Sequence, residues 1–204
     1  KWKRNVKKYV LKRLTSHDPT DVKNEKMQAR VLIDFVRKTG SDGVIRVYGE
    51  KILPNTNTQC ILMELATNDW EKELNERKIT NKFYTEFELI NILRKLTHTF
   101  ALLQKYNITH RDIKPKNVLI SEGKYKITDF SDSKIIPSGK YQLLLRGTEL
   151  FMSPLVYNSL NKNSTIVIHD SYKSDVFSLG MCFLYASTLN YKSLEDIRRI
   201  KDEK

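Results

Sequence analysis

The chain has 204 residues, of which 40% are hydrophobic and 29% are charged, so it is long enough to bury a sizeable core. Seven glycines and five prolines are too few for a disordered or collagen-like polymer, and the longest apolar stretch, residues 176–189, is too short for a membrane span. The net charge of +12 attracts anionic partners in general, but no RNA-binding or zinc-binding motif accompanies it, so we do not expect specific nucleic-acid binding.

The two cysteines predict the compartment. Cys60 and Cys182 both lie in apolar runs, which favours buried thiols in a reducing environment over a disulfide or a metal site. We therefore expect an intracellular, cytoplasmic protein. The sequence begins with Lys1 and carries no charged-then-apolar signal segment, so we expect its start to be a truncation.

The first part of the chain predicts a small α/β unit. An apolar run indicates a first strand, and apolar residues at four-residue spacing before Gly40 are typical of a helix. Two more apolar runs separated by a turn-rich segment at residues 54–57 indicate two further strands. In chain order these elements are a strand at residues 9–14, a helix at 21–38, and strands at 44–53 and 59–65.

From Tyr84 to about Asn107 the periodicity is helical, with large apolar residues at alternating four- and three-residue steps. Short strand-like runs follow at residues 118–120 and 124–128, and a long polar loop then leads to a helix starting near Ser174. We therefore predict a small lobe with the hinge over residues 1–66 and a larger, mainly helical lobe over residues 67–204.

Residues 110–129 carry the side chains that phosphoryl transfer requires. Asp112 is followed two residues later by Lys114 and five residues later by Asn117, and Asp129 comes behind the short strand pair. Such a reaction needs a group near the hydroxyl proton, a cation on the phosphate oxygens and oxygen ligands for magnesium. A lone His-Arg-Asp triplet would more often be surface charge, but each further match in register raises the specificity of the motif.

This pattern resembles the catalytic loop and the metal-binding Asp-Phe-Gly triplet of eukaryotic-type protein kinases. Residues 147–154 resemble the end of the kinase activation loop, and residues 174–180 resemble the start of the helix that anchors the catalytic loop. The resemblance implies an α+β, two-lobed protein kinase-like fold and ATP-dependent phosphoryl transfer to protein hydroxyls. Lys114 and Thr148 are of the kind found in serine/threonine kinases, which implies serine or threonine acceptors.

By position, the resemblance implies roles for four residues of this region. Asp112 is expected to orient the substrate hydroxyl as a base, and Lys114 to contact the γ-phosphate. Asn117 and Asp129 are expected to bind Mg²⁺.

Three neighbours have structural roles in this interpretation. We expect His110 and Phe130 to be packing residues that align the catalytic loop. Asp175 is expected to cap its helix, to receive backbone amides of the catalytic loop, or to do both.

In the small lobe, residues 9–12 resemble the strand whose lysine holds the α- and β-phosphates of ATP, and residues 61–65 resemble the strand that leads into the hinge. Met63 then occupies the gatekeeper position, although a plain buried strand explains residues 61–65 equally well. The nucleotide-binding residues that the resemblance implies are Val10, Lys12, Met63, Glu64, Ala66 and Leu119.

The sequence also departs from the family pattern at its two ends. No glycine-rich loop precedes Lys12, and fifteen residues after Leu189 leave no room for the last helices of the large lobe. We therefore expect a fragment of a kinase domain, with weak turnover on its own.

Other departures lie inside the domain. Alignment puts Val31 where the family has the glutamate that pairs with the strand lysine, and Glu25, the nearest acid upstream, lies six positions away. Ser131 replaces the glycine of Asp-Phe-Gly, and Leu155 replaces the glutamate of Ala-Pro-Glu.

The activation loop carries a further difference. Arg111 resembles the arginine that clamps a loop phosphate in many kinases, yet Leu144 stands where the phosphorylated threonine often lies. We predict that residues 143–145 order the loop by packing on the large lobe and that activity does not depend on loop phosphorylation. The alternative is a partly flexible loop with Arg111 solvated or paired with a nearby carboxylate.

Two functions follow. The first is an active serine/threonine kinase that acts on protein substrates with ATP and Mg²⁺ and has no membrane partner. The second is a pseudokinase that binds nucleotide or partners without efficient transfer. The presence of Asp112, Asn117 and Asp129 favours the active kinase.

Overall fold

The structure, a computed structural model, describes residues 8–15, 19–54, 56 and 58–199, without the side chains of residues 19–28, 198 and 199. The described strands are β1 (Tyr9–Thr15), β2 (Val47–Ile52), β3 (Thr58–Glu64), β4 (Asn68–Asp69), β5 (Ile108–Thr109), β6 (Val118–Ser121), β7 (Lys124–Ile127), β8 (Lys134–Ile135), β9 (Lys140–Leu144) and β10 (Ile166–Asp170). The helices are α1 (Pro19–Thr39), α2 (Trp70–Ile79), α3 (Glu86–Lys105), α4 (Pro154–Asn161), α5 (Ser171–Thr188) and α6 (Tyr191–Arg199).

The small lobe is an antiparallel sheet in the order β1-β3-β2, with α1 packed against it. Lys12 lies opposite Ile61 in this register, and the two-residue alternation places Met63 on the same face of the sheet. From α1, the buried side chains of Ala29, Leu32 and Phe35 join the core. The strand and helix predicted for this region are confirmed, although residues 55 and 57 of the predicted turn lie outside the described residues.

The large lobe is built around α3 and α5. Thr85 and Glu88 form a capping box that starts α3, and its buried residues, among them Leu96 and Leu103, face the core. Helix α5 begins at Ser171, directly after the N-cap residue Asp170, and has buried residues on several of its faces. None of the described helices is long and apolar enough to cross a membrane. Together with the small lobe, these elements make the α+β, two-lobed kinase-like fold that was predicted.

A short segment after α1 ties the small lobe to β7 of the large lobe. Ile45 N donates to Ile127 O, and Ile127 N donates to Gly43 O, both at 2.9 Å. A Cβ atom on Gly43 would lie 1.9 Å from Oγ1 of Thr99 on α3. Glycine therefore permits the close approach that holds the two lobes on either side of the cleft.

The segment from residue 129 to residue 154 differs from the polar loop that the sequence predicted. Two strand pairs order it, because β8 pairs with β5 and β9 pairs with β10. The predicted packing of residues 143–145 is wrong for Leu144, whose side chain is 56% exposed. Leu145 does pack against the small cluster of Met152, Val156 and Val167.

Candidate active site

The catalytic loop between β5 and β6 is anchored by a buried carboxylate. Asp175 Oδ2 accepts from His110 N at 2.8 Å and from Thr109 Oγ1 at 2.9 Å, while Oδ1 accepts from Arg111 N at 2.8 Å. Burial raises the pKa of Asp175, and the neighbouring His110 and these donors act in the opposite direction. The predicted role of Asp175 in receiving loop amides is confirmed, whereas its predicted capping role is wrong because Asp170 is the N-cap.

His110 and Phe130 are packing residues, as predicted. Both are buried, and their ring centroids lie 4.7 Å apart in an edge-to-face arrangement. His110 Nε2 lies 2.8 Å from Thr128 O, while Nδ1 lies 3.3 Å from the amide of Asp112. A proton on Nε2 satisfies both contacts, so the ring links the catalytic loop to the segment before Asp129.

Asp112, Lys114 and Thr148 form a closed triangle of polar contacts. Lys114 Nζ lies 2.8 Å from Asp112 Oδ2 and 2.7 Å from Thr148 Oγ1. Thr148 Oγ1 in turn donates to Asp112 Oδ1 at 2.7 Å. All three side chains are partly buried, so the structure brings together the two residues predicted to be catalytic. The sequence indicates Thr148 only as a marker of the acceptor class, and the structure adds its contacts with Asp112 and Lys114.

Asn117 and Asp129, the predicted magnesium ligands, both line the same cavity. Asn117 Nδ2 donates to the backbone oxygen of Asp112 at 2.9 Å and to its Oδ2 at 3.1 Å. These bonds leave the amide oxygen of Asn117 as the atom that can face a cation. The backbone of Asp129 has a φ of 58°, in the left-handed region. Non-glycine residues rarely adopt this conformation, and those that do are often found at active sites.

The donor set fits magnesium. Among the described residues, no cluster of three or more His, Cys, Asp or Glu side chains could form a complete protein cage for a metal ion. Mg²⁺ commonly takes one or two protein oxygens and completes its octahedron with water and substrate phosphates. One carboxylate and one amide oxygen beside an open cavity match this requirement.

The cavity between the lobes has a volume of about 280 Å³. Of the nucleotide-binding residues predicted from sequence, Lys12 and Met63 line it together with Asn117 and Asp129. Among the described residues, the rest of the wall is formed by Ala29, Leu32, Val47 and Ile61 from the small lobe and by Lys116, Thr128 and Phe130 from the large lobe. An apolar cleft with a few convergent polar groups is typical of a small-molecule site.

Four predicted nucleotide-binding residues lie outside the walls of this cavity. Val10 lies opposite Met63 in the sheet and is 37% exposed. Leu119 is half-buried in β6, and Ala66 is half-buried in the segment between β3 and β4. Their roles in binding adenine stay a prediction.

Glu64, the fourth of these residues, directs its side chain toward the large lobe. Its Oε1 accepts from Lys126 Nζ at 2.6 Å and from Ser121 Oγ at 2.5 Å. Burial by itself would raise the pKa of Glu64, but the donors from Lys126 and Ser121 outweigh it and hold the pKa below its ordinary value. Sequence reasoning missed this contact because Lys126 looks like any other lysine of a basic chain.

The helix position that faces the strand lysine differs from the one predicted. Ala29 and Leu32 line the cavity, whereas Val31 is absent from its walls and packs, partly buried, against the core. Glu25 precedes Ala29 by four positions and Leu32 by seven in α1. The side chain of Glu25 lies outside the described residues.

The fold and this site define a protein kinase domain. A family model described as "Protein kinase domain" matches residues 1–202, and the chain belongs to this family.

Two similar proteins carry kinase names. The serine/threonine-protein kinase cds1 of Schizosaccharomyces pombe is 33% identical over 155 residues, which are 75% of this chain and 32% of that protein. Mitogen-activated protein kinase kinase 7 of Arabidopsis thaliana is 32% identical over 154 residues, 74% of this chain and 47% of that protein. The chain thus spans less than half the length of either relative.

Proposed function

We propose that the protein transfers the γ-phosphoryl group of ATP to serine or threonine hydroxyls of protein substrates. The observation that carries this proposal is the triangle of Asp112, Lys114 and Thr148 joined through Asn117 to the cavity. A carboxylate and an ammonium group held this closely supply a proton acceptor and a cation at one point, which is the arrangement that phosphoryl transfer needs.

In this proposal, Asp112 accepts a hydrogen bond from the substrate hydroxyl and orients it. The hydroxyl oxygen forms a bond to the γ-phosphorus, the bond from that phosphorus to the β–γ bridging oxygen breaks, and the hydroxyl proton passes to the Asp112 carboxylate. Lys114 meets the negative charge on the transferred group, and its bond to Thr148 holds the ammonium in place before substrate arrives.

Lys12, Asn117 and Asp129 serve the phosphates. Asn117 and Asp129 would hold Mg²⁺ through their side-chain oxygens, and the cation, when bound, supplies charge neutralisation on the phosphate oxygens. Lys12 provides a second positive charge from the opposite wall of the cavity. Met63 would border the adenine, Val10 and Leu119 would contact it, and the backbone of residues 64–66 would offer it hydrogen bonds.

We also propose an intracellular, cytoplasmic setting and a division of the domain near residue 66. Cys60 and Cys182 are both free thiols, in keeping with a reducing compartment.

No feature of the described residues favours the pseudokinase alternative.

Asp112→Asn in the full-length protein tests the proposal. Transfer of radiolabelled phosphate should fall by roughly 10²–10⁴-fold because the proton acceptor is lost, while nucleotide affinity should stay nearly unchanged. Asp34→Asn is the matched control, since Asp34 is an exposed carboxylate paired only with Arg37 in the described part of the chain. Undiminished transfer by Asp112→Asn would contradict the proposal.

A further inference from the structure

The activation segment, residues 129–154, is tied into the fold over most of its length by neutral contacts. After the short β5–β8 pair, Ile136 N donates to Asn107 O at 2.8 Å, and Tyr172 Oη donates to Ile136 O at 2.6 Å. The strand pair β9–β10 then holds the next stretch.

The β9–β10 ladder spans five residue pairs, from Lys140 opposite Asp170 to Leu144 opposite Ile166. One more backbone bond extends it, because Leu145 N donates to Thr165 O at 2.8 Å. On the inner face of the ladder, Val167 and His169 are buried. A short strand immediately before α5 therefore fixes the middle of the activation segment to the most buried helix of the large lobe.

Arg111 binds the other edge of β9. Residues of an antiparallel ladder alternate between facing their partner strand and facing away, so the bond from Leu145 to Thr165 directs the polar groups of Leu144 away from β10. Arg111 Nη2 donates to the Leu144 carbonyl on that outer edge, and Nη1 donates to Asp132 O at 3.1 Å. Two backbone oxygens thus accept hydrogen bonds from the guanidinium group of Arg111, which would otherwise be free to bind a phosphate.

Arg146, a second arginine of this region, is also paired. Arg146 Nε lies 3.1 Å from Asp132 Oδ1. Partial burial lowers the pKa of Arg111, and the charge of Asp132 acts in the opposite direction. Arg111 and Arg146 therefore both have partners supplied by the fold.

We propose that strand β10 takes the place of activating phosphorylation. The β9–β10 ladder and the contact from Arg111 to Leu144 hold the activation segment in its working conformation, so the kinase is active without a phosphate on this segment. This inference rests on the proposed function, because it concerns the regulation of the same site.

A disulfide across the ladder tests whether this conformation is the working one. Gln142 and Ile168 lie directly opposite each other on the exposed outer face, at a position that does not exchange ladder hydrogen bonds. Cα atoms at such positions are about 4.5 Å apart, within the range that a disulfide spans. The variant Gln142→Cys/Ile168→Cys in the full-length protein can therefore be locked by oxidation and released by dithiothreitol.

We expect the oxidised variant to keep kcat/KM within about twofold of its reduced form. A loss greater than about tenfold that dithiothreitol reverses would mean that β9 must leave β10 for catalysis, and would overturn the inference. Gln142→Cys alone is the control, because it reports any effect of oxidation on Cys60 and Cys182.

The second arm compares phosphatase-treated with untreated full-length protein, with loop phosphorylation followed by mass spectrometry. Equal activity within about twofold is expected, and a collapse on dephosphorylation would overturn the inference. If the parent protein transfers no phosphate in any form, the proposed function fails instead. In that case, slow amide exchange at Tyr141, Leu143 and Leu145, whose amides face β10, would still support the ladder in the unphosphorylated protein, and exchange as fast as in an unfolded peptide would refute it.

Discussion

Lys126 Nζ lies 2.6 Å from Oε1 and 2.8 Å from Oε2 of Glu64, joining strand β7 of the large lobe to the residue where β3 enters the hinge. Their side chains are only 10% and 14% exposed, so little water screens the pair. Removal of one partner leaves the other as an uncompensated, largely buried charge.

We predict that Lys126→Met lowers the free energy of unfolding by about 2–4 kcal/mol. Lys124→Met is the matched control on the same strand, because Lys124 pairs with Asp42 at an exposed position and should cost less than about 1 kcal/mol. Chemical denaturation of both variants gives the comparison. Equal effects would mean that water screens the pair of Lys126 and Glu64 just as well.

The stability of the large lobe should fall in mild acid through His169. Burial, and then the charge of Arg111, lowers the pKa of His169 in the folded protein, with Asp170 opposing them. The unfolded chain therefore binds a proton first as the pH drops, so stability is lost from about pH 6.5 down to the lower folded pKa.

His169→Gln should flatten the dependence of unfolding free energy on pH in this window, because it removes the group that titrates. His98→Gln, at an exposed position of α3, should keep the slope of the parent. Denaturant titrations at several pH values give both slopes. An unchanged slope in His169→Gln would assign the acid sensitivity to other groups.

Val31 packs, partly buried, against the core and does not line the cavity, contrary to what alignment suggested. Among the described side chains of α1, Ala29 and Leu32 line the cavity, so we do not expect a glutamate at position 31 to reach it. We predict that Val31→Glu lowers the free energy of unfolding by about 1–3 kcal/mol through burial of a charge, without strengthening nucleotide binding. Lys38→Glu, exposed on the same helix, is the control. Tighter nucleotide binding by Val31→Glu in a thermal-shift titration would mean that position 31 does face the strand lysine, as the alignment predicts.

Gly43 should resist substitution because of its contact with α3. A Cβ atom there would lie 1.9 Å from Thr99 Oγ1 and 2.9 Å from Thr99 Cβ, so Gly43→Ala must push the connecting segment away from the helix. We expect a loss of about 1–3 kcal/mol in stability. Gly180→Ala has open space in α5 and should instead gain up to about 1 kcal/mol. Thermal unfolding of the two variants checks the contrast.

Asp129→Asn should weaken nucleotide binding only when magnesium is present. The substitution keeps the size of the side chain at the cavity wall but removes the negative charge that the cation requires. Nucleotide titrations with Mg²⁺ and with a chelator should therefore differ less for the variant than for the parent. An equal magnesium dependence in both proteins would remove Asp129 from the ligand set.

Local patterns predicted the parts of this protein that depend on residues close together in the chain. The catalytic loop could be identified because Asp112, Lys114 and Asn117 lie within six residues, and the periodicity of α3 is visible in its leucines. The short α2, α4 and α6 helices were missed. Helix α2 has little amphipathic pattern, and α4 and α6 have only eight and nine residues, so their periodicity extends over little more than two turns.

Other features were decided by contacts between distant parts of the chain. The side chains of Lys126 and Glu64 are 62 positions apart, and β9 pairs with a strand that begins more than twenty residues later. Lys126 has no distinctive sequence pattern, because an exposed lysine and a buried lysine look alike in a sequence. Residues 140–144 have no distinctive pattern either. The sequence by itself determined the kinase family and the reacting groups, because that chemistry demands particular side chains at short spacing. Only the tertiary structure decided how the hinge and the activation segment are held, because those contacts depend on which surfaces the folded lobes bring together.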